Sequence, residues 1–203
     1  MLRSVRRATL TGACGVAVYV YNDVLTLFSL LPYDDEDPSN TAAHITNTCV
    51  QHPVDSAQEA CAVGLLRDLP AKLAKDGALS VPDAAALCSR VFDDCAVLVG
   101  DAFAAVSSEL SFLPLPRSFE LYGFDMLVDA TGHVWILEAN AEPDFAQSGD
   151  FLKGVVAGVV EGALALALDR FFPEQSVCAE AAGYTKVFDR ADPRAAGSAM
   201  TYA

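Results

Sequence analysis

Residues 119–145 read FELYGFDMLVDATGHVWILEANAEPDF. Two arms and a turn are visible in them. Phe119–Val128 and His133–Ala139 are runs of aromatic and branched residues, the composition that favours strands. Asp129-Ala130-Thr131-Gly132 between them is turn chemistry, and Gly132 can adopt a left-handed conformation. A β-hairpin followed by a short loop is expected. With a four-residue loop Val128 faces His133, and side chains alternate along each arm. Asp125 then falls opposite Ile136, on the face of Glu138 and Asn140. The other face carries Phe124, Met126, Val128, Trp135 and Leu137. Three oxygen-bearing side chains therefore share one side of an otherwise apolar hairpin, and a hard cation such as Mg²⁺ takes such donors. A one-residue slip would move Asp125 to the opposite face.

Asp125 alone is explained as well by an ordinary polar residue in a strand. Glu138-x-Asn140 closing a strand of Val, Trp, Ile and Leu, with Asp125 across the hairpin, favours the cation site.

The run FELYGFDMLVD…VWILEANAEPDFAQ resembles the C-terminal metal-binding motif of the tubulin–tyrosine ligase family, within the ATP-grasp superfamily. That family's pattern is an FxLxGxDxxxD arm followed by a W-hydrophobic-LExNxxP arm. By position, the resemblance implies Asp125, Glu138 and Asn140 as ligands of the Mg²⁺ of Mg-ATP. A second stretch, Ala43-His44-Ile45-Thr46-Asn47-Thr48-Cys49, is similar to the family's H-L-T-N motif. It implies Thr46 and Asn47 at the nucleotide and acceptor site. For these four matched positions a polar turn or cap is a fair alternative.

What the resemblance implies is an α/β (α+β) fold, the ATP-grasp-like C-terminal subdomain, with an antiparallel sheet and a metal-binding hairpin backed by helices. It implies an enzyme, a ligase that uses ATP and Mg²⁺ to join a free amino acid to a protein carboxylate through an acyl-phosphate. Tubulin or another protein would be the acceptor, in the cytoplasm and in association with the cytoskeleton. The similarity covers about Val16–Val187, which is only the C-terminal portion of the family's catalytic unit. Residues 1–188 are therefore expected to form a partial domain, and the 203-residue chain to be inactive alone. A non-catalytic nucleotide- or protein-binding module built on the same fold is the competing reading. Ala17 stands where the family often has an arginine, and Glu142 where a small residue is commoner. Arg3, Arg6 and Arg7 lie near but not cleanly in register. No general base is identifiable.

The rest of the chain fits one α/β domain. Its length allows a sizeable core. The net charge of −14 disfavours nucleic acid, whose binding rests on Lys and Arg at phosphates. The same charge works against an acidic protein partner. Basic residues followed by an apolar run at the N-terminus resemble a targeting peptide, but the alternation over Val16–Tyr21 predicts a strand in the hairpin's sheet. Asp23–Leu31 is expected as a helix ended by Pro32, and 57–66 as helical up to a break at Pro70. Periodicity predicts an amphipathic helix over Pro82–Leu110, with Ser80 in the N-cap region and Gly100 as a kink or break. Leu152–Leu168 is almost wholly apolar but short and glycine-interrupted, which favours a core helix over a membrane span. Tyr184–Phe188 is expected as a short strand, and 189–203 as a disordered tail. The six cysteines form no C-x-x-C pair and are expected to be buried reduced thiols.

Overall fold

Phe124, Met126 and Val134 are buried, while Trp135, Leu137 and Glu138 are exposed. One apolar face turned inward and one face to solvent is what an antiparallel hairpin of this composition produces. The computed structural model describes residues 2–6, 11–12, 15–51, 62–107, 119–141, 143, 145, 153–169, 178–180 and 182–191. Glu142 and residues 192–203 lie outside them, as do 52–61 of the segment expected to be helical.

The described strands are β1 (Leu2–Arg6), β2 (Thr11–Gly12), β3 (Gly15–Tyr21), β4 (Leu25–Leu27), β5 (Val63–Leu65), β6 (Gly123–Val128), β7 (Val134–Asn140) and β8 (Tyr184–Ala191). The helices are α1 (Thr41–His44), α2 (Thr48–Gln51), α3 (Leu69–Lys75), α4 (Val81–Val106) and α5 (Lys153–Asp169). The architecture is α+β, with two antiparallel sheets. None of the described helices is long and apolar enough to cross a membrane.

The chain divides into two units. The first comprises Met1–Arg6, Asp23–Cys95 and Gly123–Val156. It holds a five-stranded sheet in the order β5-β4-β1-β6-β7, with the β6–β7 hairpin at one edge. Leu25, Ala62, Val63 and Leu65 form a buried cluster with Leu27, Leu30 and Val155 against it.

The second unit comprises Arg7–Asn22, Ala96–Tyr122 and Ala157–Ala203. Its sheet runs β2-β3-β8. Tyr184 is fully buried there, donates its hydroxyl to the Val159 carbonyl at 2.7 Å and meets the Tyr21 ring edge-on at 5.0 Å. A buried tyrosine is stable only when its hydroxyl finds such a partner.

Several expectations are corrected. The strand at 16–21 forms, but it pairs with β2 and β8 and not with the hairpin. The place beside β6 is taken by β1, so the basic N-terminal stretch is a sheet strand. The 23–31 segment is not a helix. Leu25, Thr26 and Leu27 pair with Leu65, Gly64 and Val63 on one side, and Leu27 with Arg3 on the other. Ladder bonds and burial of Val24 and Leu25 outweigh a weak local helical tendency. Residues 63–65 are likewise strand, not helix.

Helix α4 starts at its expected cap, where Ser80 Oγ accepts the Asp83 amide at 3.3 Å. It runs unbroken through Gly100, whose missing side chain admits the Val187 carbonyl; a Cβ there would lie 2.7 Å from that oxygen. Only Lys153–Val156 of α5 belongs to the hairpin's unit, so this helix is not simply the hairpin's backing. The last strand continues to Ala191, past the expected boundary at 188. Cys88 and Cys95 are buried as expected, but Cys178 is exposed.

Candidate functional site

Strands β6 and β7 meet with Val128 opposite Val134, Leu127 opposite Trp135 and Met126 opposite Ile136. The register then shifts, leaving Leu137 as an extra residue, and Asp125 stands opposite Glu138. Phe124 faces Ala139 and Gly123 faces Asn140. Two features differ from the sequence expectation. The connection is Asp129–His133, one residue longer than assumed, and a β-bulge follows it. Trp135 consequently joins the solvent face and Ile136 the inner one.

Directly opposed residues share a face, and so do residues two apart on a strand. Asp125, Glu138 and Asn140 therefore lie on one face, with Asp125 half-buried and the other two exposed. Opposite Asn140 is Gly123, which is buried; a Cβ there would lie 3.3 Å from the Pro143 side chain that covers it. The donor set is two carboxylates and one amide oxygen, which suits Mg²⁺ with further oxygens from substrate. No three His, Cys, Asp or Glu side chains gather as a metal centre among the described residues. The third donor of this set is an amide. On the neighbouring strand, Arg3 pairs with Leu127 and Arg6 with Gly123, the positions two residues to either side of Asp125 along β6.

Asp129 builds the turn. Its Oδ1 accepts the Thr131 amide at 2.9 Å, the Thr131 hydroxyl at 2.6 Å and the His133 amide at 3.0 Å. Its Oδ2 accepts the Trp135 indole N–H at 3.0 Å. Hydrogen bonds from Thr131 and Trp135 hold this carboxyl well below the usual carboxylate range. Gly132 has φ +81°, a conformation that favours glycine, and a side chain there would have to displace the end of the Arg90 side chain of α4 and press on Leu87. The sequence marked this stretch as a turn. The roles of Asp129 and Trp135 in it were not foreseen, although an Asp two residues before a Thr is itself a turn signal.

Thr46 and Asn47 lie in the same unit, between α1 and α2. Thr46 is buried, and its hydroxyl has no partner among the described residues. Asn47 is exposed, and its carbonyl accepts the amides of Val50 and Gln51 at the start of α2. Gln51, which the sequence reading passed over, shapes this loop. Its buried amide accepts the Leu30 amide at 2.8 Å and donates to the carbonyls of Ala42 and Ile45. His44 contacts the Asp37 carbonyl at 2.9 Å and stacks edge-on against Tyr33.

An apolar cavity of about 640 Å³ adjoins the turn, with Phe28, Leu87, Cys88, Val91 and Leu127 in its wall. Burial pushes the Cys88 thiol up, away from reactivity. Among the described residues the cavity wall is mostly apolar, with Tyr33 and Asp129 as its polar side chains.

Residues 8–176 match the model of the tubulin-tyrosine ligase family. The chain belongs to that family. It is 28% identical over 170 residues to a probable tubulin–tyrosine ligase of Schizosaccharomyces pombe, covering 82% of this chain and 38% of that protein. With a probable tubulin–tyrosine ligase of Saccharomyces cerevisiae it shares 32% identity over 149 residues, 68% of this chain and 18% of the other. With a human tubulin polyglutamylase the figures are 29% over 140 residues, 64% and 11%. The chain thus spans well under two thirds of the length of these relatives.

Proposed function

We propose that this chain carries the cation- and nucleotide-binding part of an ATP-dependent protein–amino acid ligase of the tubulin–tyrosine ligase type. The observation that carries this reading is the pairing of Asp125 with Glu138, with Asn140 on the same face. Like charges directly opposite one another disfavour a hairpin; a divalent cation on that face removes the penalty.

The reaction joins a free amino acid to a protein carboxylate, and the relatives' names point to tubulin as the acceptor. A carboxylate is a poor electrophile until phosphorylated, and phosphorylating it brings two anions together. Mg²⁺ bound here would neutralise and align the phosphate oxygens. Asp125 and Glu138 hold the cation through carboxylate oxygens and Asn140 through its amide oxygen. Exposed Asn47 orients nucleotide or acceptor, while buried Thr46 shapes the loop that presents it. The Arg3 and Arg6 positions on β1 add the cationic character that phosphates require.

The test is a Mn²⁺ titration of the 203-residue chain, with and without ATP, read by electron paramagnetic resonance. Binding should tighten with ATP and weaken at least roughly tenfold, about 1.4 kcal/mol, in Glu138→Gln. Equal affinity in the variant would overturn the assignment.

A further inference from the structure

The turn at the end of the hairpin lies four residues from Asp125, yet the cation face depends on it. Two alternative registers show why. With a four-residue loop and no bulge, Asp125 would face Ile136 and Glu138 would face Gly123. The two carboxylates would then be diagonal neighbours, roughly 7–8 Å apart at the backbone instead of roughly 4.5–5.5 Å. With the observed Asp129–His133 turn and no bulge, Glu138 would face Phe124 on the apolar side. Of these registers, only the longer turn followed by the bulge at Leu137 sets Asp125 directly opposite Glu138 with Asn140 on the same face.

A single carboxylate ties the longer turn together. Asp129 gathers Thr131 and His133 within the turn and Trp135 beyond it. The Asp129 amide donates to the His133 carbonyl at 2.9 Å, closing the same five residues through the backbone. Trp135 is 53% exposed, so burial does not fix its position. Its hydrogen bond to Asp129 and the edge contact of the His133 ring at 4.8 Å do.

We propose that Asp129 is a positioning residue for the cation site: by tying Thr131, His133 and Trp135 into one five-residue turn, it sets the register that places Asp125 opposite Glu138. This rests on the metal role proposed for those residues. Asp129 itself does not touch the cation; both its oxygens are occupied by the turn.

Three variants of the 203-residue chain test it: Trp135→Phe, Asp129→Asn and Asp129→Ala. Trp135→Phe removes only the indole bond. In Asp129→Asn the amide oxygen can still accept from Thr131 and His133, and one contact is lost. Asp129→Ala removes all four. Two quantities are read: nuclear Overhauser contacts between Asp125 and Glu138 across the hairpin, and Mn²⁺ affinity. The Asp125–Glu138 contacts and the affinity should fall together, by about threefold or more in affinity for Trp135→Phe and Asp129→Asn alike, and further in Asp129→Ala. Circular dichroism should stay unchanged in the two milder variants. Asp129→Ala with wild-type contacts and wild-type affinity would overturn the proposal. So would lost affinity with the contacts intact, because the register would then not be the cause. If the wild-type chain shows the contacts but binds no Mn²⁺, the metal reading fails, while the contacts alone still decide whether Asp129 sets the register.

Discussion

Asp125 stands directly opposite Glu138, although the strands that carry them leave the turn with Val128 opposite Val134. The unpaired residue between, Leu137, makes up the difference. A β-bulge here re-aims two carboxylates onto one face, a recurring use of bulges beside functional sites.

The Thr46 hydroxyl gives a prediction that separates structure from nucleotide contact. It is buried, with no partner among the described residues, and an unmet buried hydroxyl costs about 1–3 kcal/mol. Thr46→Val should leave stability unchanged or raise it by up to about 1 kcal/mol, with ATP affinity unaltered. Urea unfolding and an ATP titration check this. A tenfold loss of ATP affinity would mean that the hydroxyl turns toward nucleotide.

Gly132 is held at φ +81° against Leu87 and Arg90. Gly132→Ala meets a conformational cost of roughly 1–2 kcal/mol as well as displacing the Arg90 guanidinium. The chain should unfold at lower urea concentration by that amount or more. An unchanged midpoint would contradict the turn geometry.

The acid limb of stability carries a signature of Asp129. Its folded-state acidity is raised chiefly by the hydrogen bond from Thr131, then by that from Trp135. A carboxyl depressed on folding contributes stability that is complete above its unfolded value, near 3.9. That contribution is lost as pH falls toward the folded value. Stability should therefore drop below about pH 4. The drop should be shallower in Asp129→Asn, which cannot titrate. Superimposable pH profiles would contradict the network.

In the second unit, Tyr184→Phe removes the hydroxyl that the Val159 carbonyl accepts at 2.7 Å. A loss of about 0.5–1.5 kcal/mol is expected. Burial, and after it the neighbouring Tyr21, raise the Tyr184 hydroxyl's pKa above the ordinary tyrosine value. Burial and Glu120 also push Tyr122 up to about 12, so an alkaline absorbance titration should show, besides Tyr122, a second tyrosine that resists ionisation until the chain unfolds. Its absence from the variant would assign it.

The hairpin was legible because its signals are local. Strand formers flank a turn, and alternation puts acids on one face and Phe124 and Met126 on the other. The register was not legible, since one extra residue in the turn and one in the bulge leave composition unchanged. Trp135 shows the consequence: as an apolar residue in a strand it was assigned inward, but the longer turn places it outside, where Asp129 holds it. Leu25–Leu27 failed for a different reason. Three residues carry too little periodicity to separate strand from helix, and their partners, β1 and β5, are distant in sequence. Likewise, nothing within Gly15–Tyr21 says that it pairs with Tyr184–Ala191 and not with the hairpin.

The most direct measurement is a crystal structure of the chain grown with Mn²⁺ and a non-hydrolysable ATP analogue, using the metal's anomalous signal. The account predicts one peak on the exposed face of the hairpin, bonded by oxygens of Asp125, Glu138 and Asn140 at about 2.0–2.2 Å, typical of a small hard divalent cation, with phosphate oxygens completing the shell. An ordered nucleotide whose metal touches none of these three residues would contradict it.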